Sequence, residues 1–264
     1  MSVDNGRRSV SENASVHRGQ ILGFRFSVFV AIAACLACLV AALLVSGCSS
    51  GGSGSSSGSA GSKPTGSAAT GSVPGTNVQT EASGEYASGK HVAIIKVRDY
   101  GEIEVELDAD EAPVSVSNFC ALASRGYYDG LAFYRIVDGF CLQGGTAGNT
   151  ASGHDSSLAP IIGEFSGNKV NNRLADHFER GTIAMARTSD VNSATSTFFI
   201  TLGSNESVSR SLNGQYAAFG TVSDSGMETV ARIEDALATA TVDSNGMLQN
   251  SADMPIIESV VVEK

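Results

Sequence analysis

A long segment of small and polar residues, 49–89, divides this chain of 264 residues and constrains what it can fold into. The segment consists mostly of Ser, Gly, Ala and Thr and has almost no large apolar side chain. Such a composition cannot bury enough surface to offset the entropy cost of ordering the chain, so it predicts a flexible linker. The block that follows, residues 90–264, contains most of the aromatic residues and is long enough for one well-buried core. The sequence therefore predicts one folded domain behind a linker.

The charge of the chain restricts its partners. The formal net charge is −10, with 17 Lys and Arg against 27 Asp and Glu, and most of the acidic residues lie in the 90–264 block. A surface of this sign repels phosphate backbones, and the block has no basic stripe, so we expect no nucleic acid partner. An acidic surface is typical of a domain that is kept soluble by its charge.

The N-terminal segment has the pattern of an export signal. Residues 26–45 form an apolar run that is long for a signal peptide and long enough to span a bilayer. Four arginines precede the run, which places that end in the cytoplasm by the positive-inside rule and the remainder of the chain outside. These arginines are Arg7, Arg8, Arg18 and Arg25.

The residues that end the apolar run decide between a cleaved signal and a membrane helix. Val45-Ser46-Gly47-Cys48 resembles the bacterial lipobox, in which small residues precede a cysteine that is lipidated and becomes the mature N-terminus. The alternative is a plain membrane helix with a chance cysteine. The lipobox predicts a signal peptide at 1–47, lipidation of Cys48 and a Ser/Gly-rich linker at 48–89. We therefore expect a protein at the cell membrane, lipid-anchored on its extracytoplasmic face.

Alternating side chains predict a set of short strands in the folded block. Residues 91–98 and 102–107 read as a hairpin with one solvated face, because charged and apolar residues alternate in the second segment. Further short strands, separated by Gly-rich loops, are predicted at 133–136, 141–143, 182–186, 198–202, 217–222 and 256–262.

Two helices are predicted between these strands. Pro113 opens the first, Asp110 and Glu111 complement the positive end of its dipole, and Gly126 follows its end. Its apolar stripe has helical spacing and consists of Val116, Phe119, Cys120 and Ala123. The second helix is predicted at 227–237. Many short strands with two isolated helices and no βαβ alternation favour a mainly β fold, a closed antiparallel barrel capped by two α-helices.

Three ordered motifs carry a resemblance to a known family. Residues 133–145, FYRIVDGFCLQGG, resemble the signature FxRxxxGFxxQGG of the cyclophilin family of peptidyl-prolyl cis-trans isomerases. Residues 181–187, GTIAMAR, resemble the family's GxxxMAR strand. Ser196 with the following FFI, and then LNG at 212–214 with FG at 219–220, resemble its SQFFI and LDGxxxxFG elements. The resemblance spans residues 90–264 and implies an eight-stranded antiparallel β-barrel with two capping helices.

The chemistry that the resemblance implies is isomerisation of Xaa-Pro bonds. Rotation about this bond is slow because the amide has partial double-bond character, with a barrier of roughly 18–20 kcal/mol. No covalent step, metal or cofactor is needed to lower it, since a preorganised donor can stabilise the twisted imide nitrogen. The resemblance assigns that role to Arg135, whose guanidinium keeps its charge. Phe140 and Gln143 complete the implied catalytic group, with Gln143 holding a substrate carbonyl or orienting Arg135.

The resemblance also implies a binding site for the peptide. The family's apolar proline pocket corresponds here to Phe140, Cys141, Phe199, Leu212 and Tyr216. Ala186 and the backbone of Arg187 correspond to groups that hydrogen-bond the substrate chain. The expected partners are proline-containing polypeptides, exported proteins that fold near the membrane, and the protein is expected to act as a monomer.

Two of the positions that depart from the family pattern leave a second function open. Thr197 stands where the family usually has a substrate-contacting Gln, and Ser211 stands where a large aromatic usually lines the pocket rim. The alternative to an enzyme is a proline-peptide-binding module, a holdase, on the same fold. The sequence also leaves open a disulfide between Cys120 and Cys141, although two separate buried thiols are favoured because the two residues are predicted at a helix core face and in the pocket.

Overall fold

The computed structural model describes residues 77–153 and 155–263, which include the whole predicted domain except its last residue and His154. The predicted signal peptide, Cys48 and the first part of the linker lie outside the described residues. Within the described ranges, no helix has both the length and the apolar character needed to cross a membrane.

Eight strands form one sheet in which every neighbouring pair is antiparallel. The order across the sheet is β3-β4-β6-β5-β7-β2-β1-β8. The bounds are β1 Lys90–Val97, β2 Gly101–Asp108, β3 Phe133–Val137, β4 Cys141–Gly144, β5 Thr182–Met185, β6 Phe198–Thr201, β7 Ala218–Val222 and β8 Ile257–Val262. The predicted strand positions are confirmed, and no strand end shifts by more than one residue.

The sheet curls as a half-barrel, and backbone hydrogen bonds connect its two edge strands, β3 and β8, to the residues just before the other strand. The amide of Phe133 in β3 donates to the carbonyl of Pro255, just before β8, at 2.9 Å. The amide of Ile257 in β8 donates to the carbonyl of Leu131, just before β3, at 2.7 Å. An unpaired edge would expose a row of backbone donors and acceptors, and these bonds satisfy part of that row.

The inner face of the sheet encloses an aromatic core. Phe198 of β6 is fully buried and makes edge-to-face contacts with three rings, at centroid distances of 5.6 Å to Phe119, 5.6 Å to Tyr128 and 5.9 Å to Phe133. Because side chains alternate along a strand, the neighbouring Phe199 points to the opposite face. The two phenylalanines of β6 therefore lie on opposite faces of the sheet.

The described residues contain three α-helices, so the prediction of two capping helices is wrong in number. They are α1 Pro113–Ser124, α2 Glu206–Leu212 and α3 Asp224–Leu237. The helix that was missed, α2, has only seven residues, and Val208 and Leu212 are its buried side chains. So short a helix in a polar segment gives little periodicity to detect. In α3 the side chain of Ser223 accepts from the amide of Gly226, so this helix begins three residues earlier than predicted.

The N-terminus of α1 is stabilised by a residue that the sequence did not indicate. Asp110 and Glu111 were expected to complement the helix dipole, but the first turn contains no acidic residue. Instead the buried carboxylate of Glu164, 2% exposed, accepts from the amides of Val114 and Ser115 at 2.9 and 2.8 Å. The predicted apolar stripe of α1 is buried as expected.

The segment 77–89, predicted as the last part of the linker, lies against the folded domain. The amide of Gln79 donates to the carbonyl of Pro160 at 2.8 Å, and the amide of Ile162 donates back to the carbonyl of Gln79 at 2.9 Å. Further along, the hydroxyl of Ser117 in α1 donates to the carbonyl of Tyr86 at 3.2 Å. These contacts extend the packed part of the molecule before β1.

Candidate active site

Three of the predicted site residues form a row across neighbouring strands. Arg135 of β3 is the register partner of Gln143 of β4, which in turn is the register partner of Phe199 of β6. Register partners project to the same face of a sheet, and this face is opposite to the aromatic core. The fold thus brings together Arg135 and Phe199, which are 64 positions apart in the sequence.

Hydrogen bonds hold the guanidinium of Arg135 in place. Nε donates to the backbone carbonyl of Asn245 at 2.8 Å, and Nη1 donates to Oε1 of Gln143 at 2.9 Å and to Sγ of Cys141 at 3.3 Å. Arg135 is only 9% exposed. A charged group that is buried and bonded in this way has a fixed direction. Asn245, in the segment between α3 and β8, was not predicted as a site residue.

Phe140 stands on the tight turn that joins the two strands of the signature. The amide of Phe140 donates to the carbonyl of Val137 at 2.9 Å, and Gly139 between them has φ +63°. A turn with positive φ at this position suits glycine, which adopts it without a steric penalty. Phe140 is half-buried and packs against the edge of the core. The Gly-Phe pair therefore presents an aromatic side chain beside the strands of Arg135 and Gln143.

Aromatic rings form an apolar wall around Phe199, which is 4% exposed. Tyr216 meets it edge to face with ring centroids 5.6 Å apart. Phe178 stacks nearly parallel to it at 6.2 Å and was not predicted as a site residue. Leu212 is the last residue of α2, four positions before Tyr216 in the sequence, and its side chain is buried. No motif points to Phe178, because it lies in the loop before β5.

Ala186 and Arg187 follow β5 and lie beside this wall. The amide of Ala186 donates to the carbonyl of Thr197 at 2.9 Å, so that group is already used within the protein. The guanidinium of Arg187 lies over the ring of Tyr216 at 4.7 Å and over the ring of Phe165 at 5.2 Å. The cation–π contacts fix the side chain of Arg187 and leave its backbone at the edge of the site.

The two positions that depart from the family pattern are both satisfied internally. The hydroxyls of Thr197 and Thr146 are hydrogen-bonded at 2.6 Å. The hydroxyl of Ser211 donates to the carbonyl of Ser207, one turn earlier in α2, at 2.8 Å. Neither residue has the size of the amide or the aromatic ring that it replaces.

Cys120 and Cys141 do not form a disulfide with each other, as predicted, and both are buried. Burial raises the pKa of Cys120 to about 12, so this thiol stays protonated at neutral pH. Among residues 77–153 and 155–263, no group of three or more His, Cys, Asp or Glu side chains is placed to hold a metal ion.

Comparison with known proteins agrees with this geometry. Residues 92–261 match the family described as cyclophilin type peptidyl-prolyl cis-trans isomerase/CLD. The chain is 38% identical over 157 residues to a peptidyl-prolyl cis-trans isomerase of Acinetobacter baylyi, covering 59% of this chain and 77% of that protein. It is 34% identical over 182 residues to peptidyl-prolyl cis-trans isomerase A of Dickeya dadantii, covering 67% and 87%.

A solved structure also resembles the fold. A cyclophilin type peptidyl-prolyl cis-trans isomerase of Cryptosporidium parvum superposes with a TM-score of 0.54 at 27% identity, covering 67% of this chain and 99% of that chain. The same protein, in a crystal structure in the presence of the dipeptide Ala-Pro, gives a TM-score of 0.53 at 29% identity, covering 66% and 99%. The family match, the bacterial relatives and the shared fold agree, and the chain belongs to the cyclophilin-type peptidyl-prolyl cis-trans isomerases.

Proposed function

We propose that this isomerase acts on proline-containing polypeptides at the row of Arg135, Gln143 and Phe199. The observation that carries the proposal is the fixed guanidinium of Arg135, 9% exposed and bonded to Asn245, Cys141 and Gln143. As the Xaa-Pro bond twists, its nitrogen loses conjugation and gains a lone pair that can accept a hydrogen bond. A donor that is already oriented stabilises this state without reorganising during the reaction.

The apolar wall beside Arg135 provides a place for the proline ring. Phe199 and Tyr216 would form its base and side, and Phe140, Cys141 and Leu212 would complete it. The backbone of Arg187 and the carbonyl of Ala186 would hold the peptide on the acyl side. The ring is then gripped while the acyl side turns, which is what catalysis of rotation requires. The Cryptosporidium relative was crystallised in the presence of a dipeptide that ends in proline, which supports this choice of ligand.

Removal of Arg135 tests the assignment. Arg135→Ala should lower kcat and kcat/KM together by about 10²–10³-fold, the usual cost of losing one preorganised donor. Its affinity for a Xaa-Pro peptide should change little, because the apolar wall remains. A protease-coupled assay on a short Xaa-Pro peptide gives the rate, and calorimetry gives the affinity.

A matched control separates this effect from loss of any arginine. Arg98→Ala removes an exposed arginine just after β1 that pairs with Glu258 of β8, and its activity should equal that of the wild type. Equal activity of the wild type and Arg135→Ala would overturn the assignment. Measurable peptide binding without turnover in the wild type would favour a binding module.

We also propose that the barrel is closed. The bonds from Phe133 to Pro255 and from Ile257 to Leu131 support it, because they join the two edges of the sheet. In a closed barrel the amides of Phe133 and Ile257 exchange with solvent as slowly as amides inside β6. Fast exchange of both, with slow exchange in β6, would show an open edge.

The setting that we propose is the extracytoplasmic face of the cell membrane, with a lipid on Cys48 and exported proteins as clients. The lipobox-like run supports it, and Cys48 lies outside the described residues. Cys48→Ser should leave an unprocessed precursor that is still inserted in the membrane. A wild-type mature protein that begins elsewhere and has no lipid by mass spectrometry would contradict the proposal.

A further inference from the structure

A buried tyrosine stands behind the catalytic row. Tyr134 precedes Arg135 in β3 and is only 2% exposed. The register of β3 on β4 passes from Phe133 opposite Gly144 to Arg135 opposite Gln143, so Tyr134 is the extra residue of a β-bulge. A bulge re-aims a side chain that would otherwise follow the alternation of the strand. Here it directs the hydroxyl of Tyr134 to Gln143.

The hydroxyl of Tyr134 joins a chain of hydrogen bonds that ends at Arg135. Nε2 of Gln143 donates to it at 2.7 Å, and the hydroxyl of Thr146 donates to it at 3.1 Å. Thr146 is in turn bonded to Thr197 at 2.6 Å. The chain therefore runs from Thr197 through Thr146, Tyr134 and Gln143 to the guanidinium.

The direction of these bonds follows from the chemistry of Arg135. A guanidinium has only donors, so Gln143 must present its oxygen to it and its nitrogen to the other side. That nitrogen needs an acceptor, and the tyrosine oxygen provides one. Burial raises the pKa of Tyr134, so the hydroxyl stays neutral at physiological pH and can play this part throughout that range.

We propose that Tyr134 is a positioning residue for the isomerase, which fixes the amide of Gln143 and through it the direction of Arg135. Thr197 then has a role different from that of the substrate-contacting Gln that the family usually has at this position. It is bonded to Thr146 and so holds the same network in place. The inference rests on the proposed role of Arg135.

Tyr134→Phe tests the inference because it removes only the hydroxyl. Loss of the hydrogen bond from Gln143 should lower kcat/KM by about 2- to 13-fold, with unchanged affinity for a Xaa-Pro peptide. Tyr128→Phe is the matched control. Tyr128 is also fully buried, but its hydroxyl is bonded to the carbonyl of Ser196 in the core and has no bond to Gln143. Its activity should stay within about twofold of the wild type, the scatter expected for a change that leaves the network intact.

A double-mutant cycle separates positioning from a merely structural role. In a Gln143→Ala background, Tyr134→Phe should cause no further loss of kcat/KM, because the amide through which Tyr134 orients Arg135 is gone. Any loss of folding stability that Tyr134→Phe causes should be the same in the wild-type and Gln143→Ala backgrounds. An equal loss of rate in the two backgrounds would overturn the proposal.

Thr197 gives a second, independent variant. Thr197→Val keeps the shape and removes the hydroxyl, so kcat/KM should fall in the same direction as in Tyr134→Phe. Thr197→Ser keeps the hydroxyl and should retain wild-type activity. Full activity of both Tyr134→Phe and Thr197→Val would refute the network while leaving the active site intact, provided that Arg135→Ala is inactive. If Arg135→Ala is also fully active, the proposed site itself has failed.

Discussion

The alternation along β6 places two adjacent phenylalanines, Phe198 and Phe199, on opposite faces of the sheet. The substitutions Phe198→Leu and Phe199→Leu test which face of the sheet contains the active site. Phe198 makes three aromatic contacts in the core, and Phe199 makes two in the wall beside Arg135. Each aromatic pair contributes about 0.5–1.5 kcal/mol beyond the area that it buries. The loss of pair energy is therefore about 1.5–4.5 kcal/mol for Phe198 and about 1–3 kcal/mol for Phe199.

These magnitudes predict opposite orders for stability and activity. For a domain of this size 1 kcal/mol shifts Tm by about 2–4 °C, so Phe198→Leu should lower Tm by about 3–18 °C and Phe199→Leu by less. The activity should follow the other order. A proline ring that loses the flat face of Phe199 binds about 1 kcal/mol more weakly, which is about fivefold in kcat/KM. Phe198→Leu should change kcat/KM much less, because its side chain lies on the opposite face of the sheet from the site.

Calorimetry measures the two Tm values, and the protease-coupled assay measures kcat/KM at a temperature at which circular dichroism shows both variants folded. A folded Phe198→Leu that loses as much activity as Phe199→Leu would refute the separation of the two faces. Wild-type activity in Phe199→Leu would remove Phe199 from the proposed pocket.

Three further predictions follow from contacts outside the site. Glu164→Ala should lower the free energy of unfolding in urea by about 2–4 kcal/mol, because it leaves two buried amides at the start of α1 without an acceptor. An unchanged midpoint of urea unfolding would show that the carboxylate is not needed as a cap. The hydrogen bonds from Arg173 lower the pKa of Glu111, so their contribution to stability is present above the unfolded pKa and lost as the pH falls through the folded pKa. Glu111→Gln should therefore melt below the wild type above about pH 5, and the difference in Tm should vanish as the pH falls through the folded pKa of Glu111, whereas parallel curves would contradict the pairing. Cys120, with its pKa raised to about 12 by burial, should resist iodoacetamide in the native protein at neutral pH and react after denaturation, as mass spectrometry would show.

The local parts of this protein could be read from its sequence. Alternating residues and Gly-rich loops predicted every strand to within one residue at its ends, and a helical stripe predicted the buried face of α1. The signature at 133–145 held the residues that the register of β3 and β4 later placed side by side, since Arg135 and Gln143 lie on one hairpin. Such features depend on the periodicity of strands and helices and on neighbours within a few residues, which the order of the amino acids contains.

Tertiary structure alone decided which distant groups support these residues. Asn245 holds Arg135 across 110 positions, Thr197 meets Thr146 across 51, and Glu164 caps α1 across 50. No local pattern marks an asparagine carbonyl or a threonine hydroxyl for such a task, because any residue with a polar atom at that point in space would serve. The curling of one antiparallel sheet brings these loops together. Their hydrogen bonds contribute to stability because a polar group that is buried without a partner is costly.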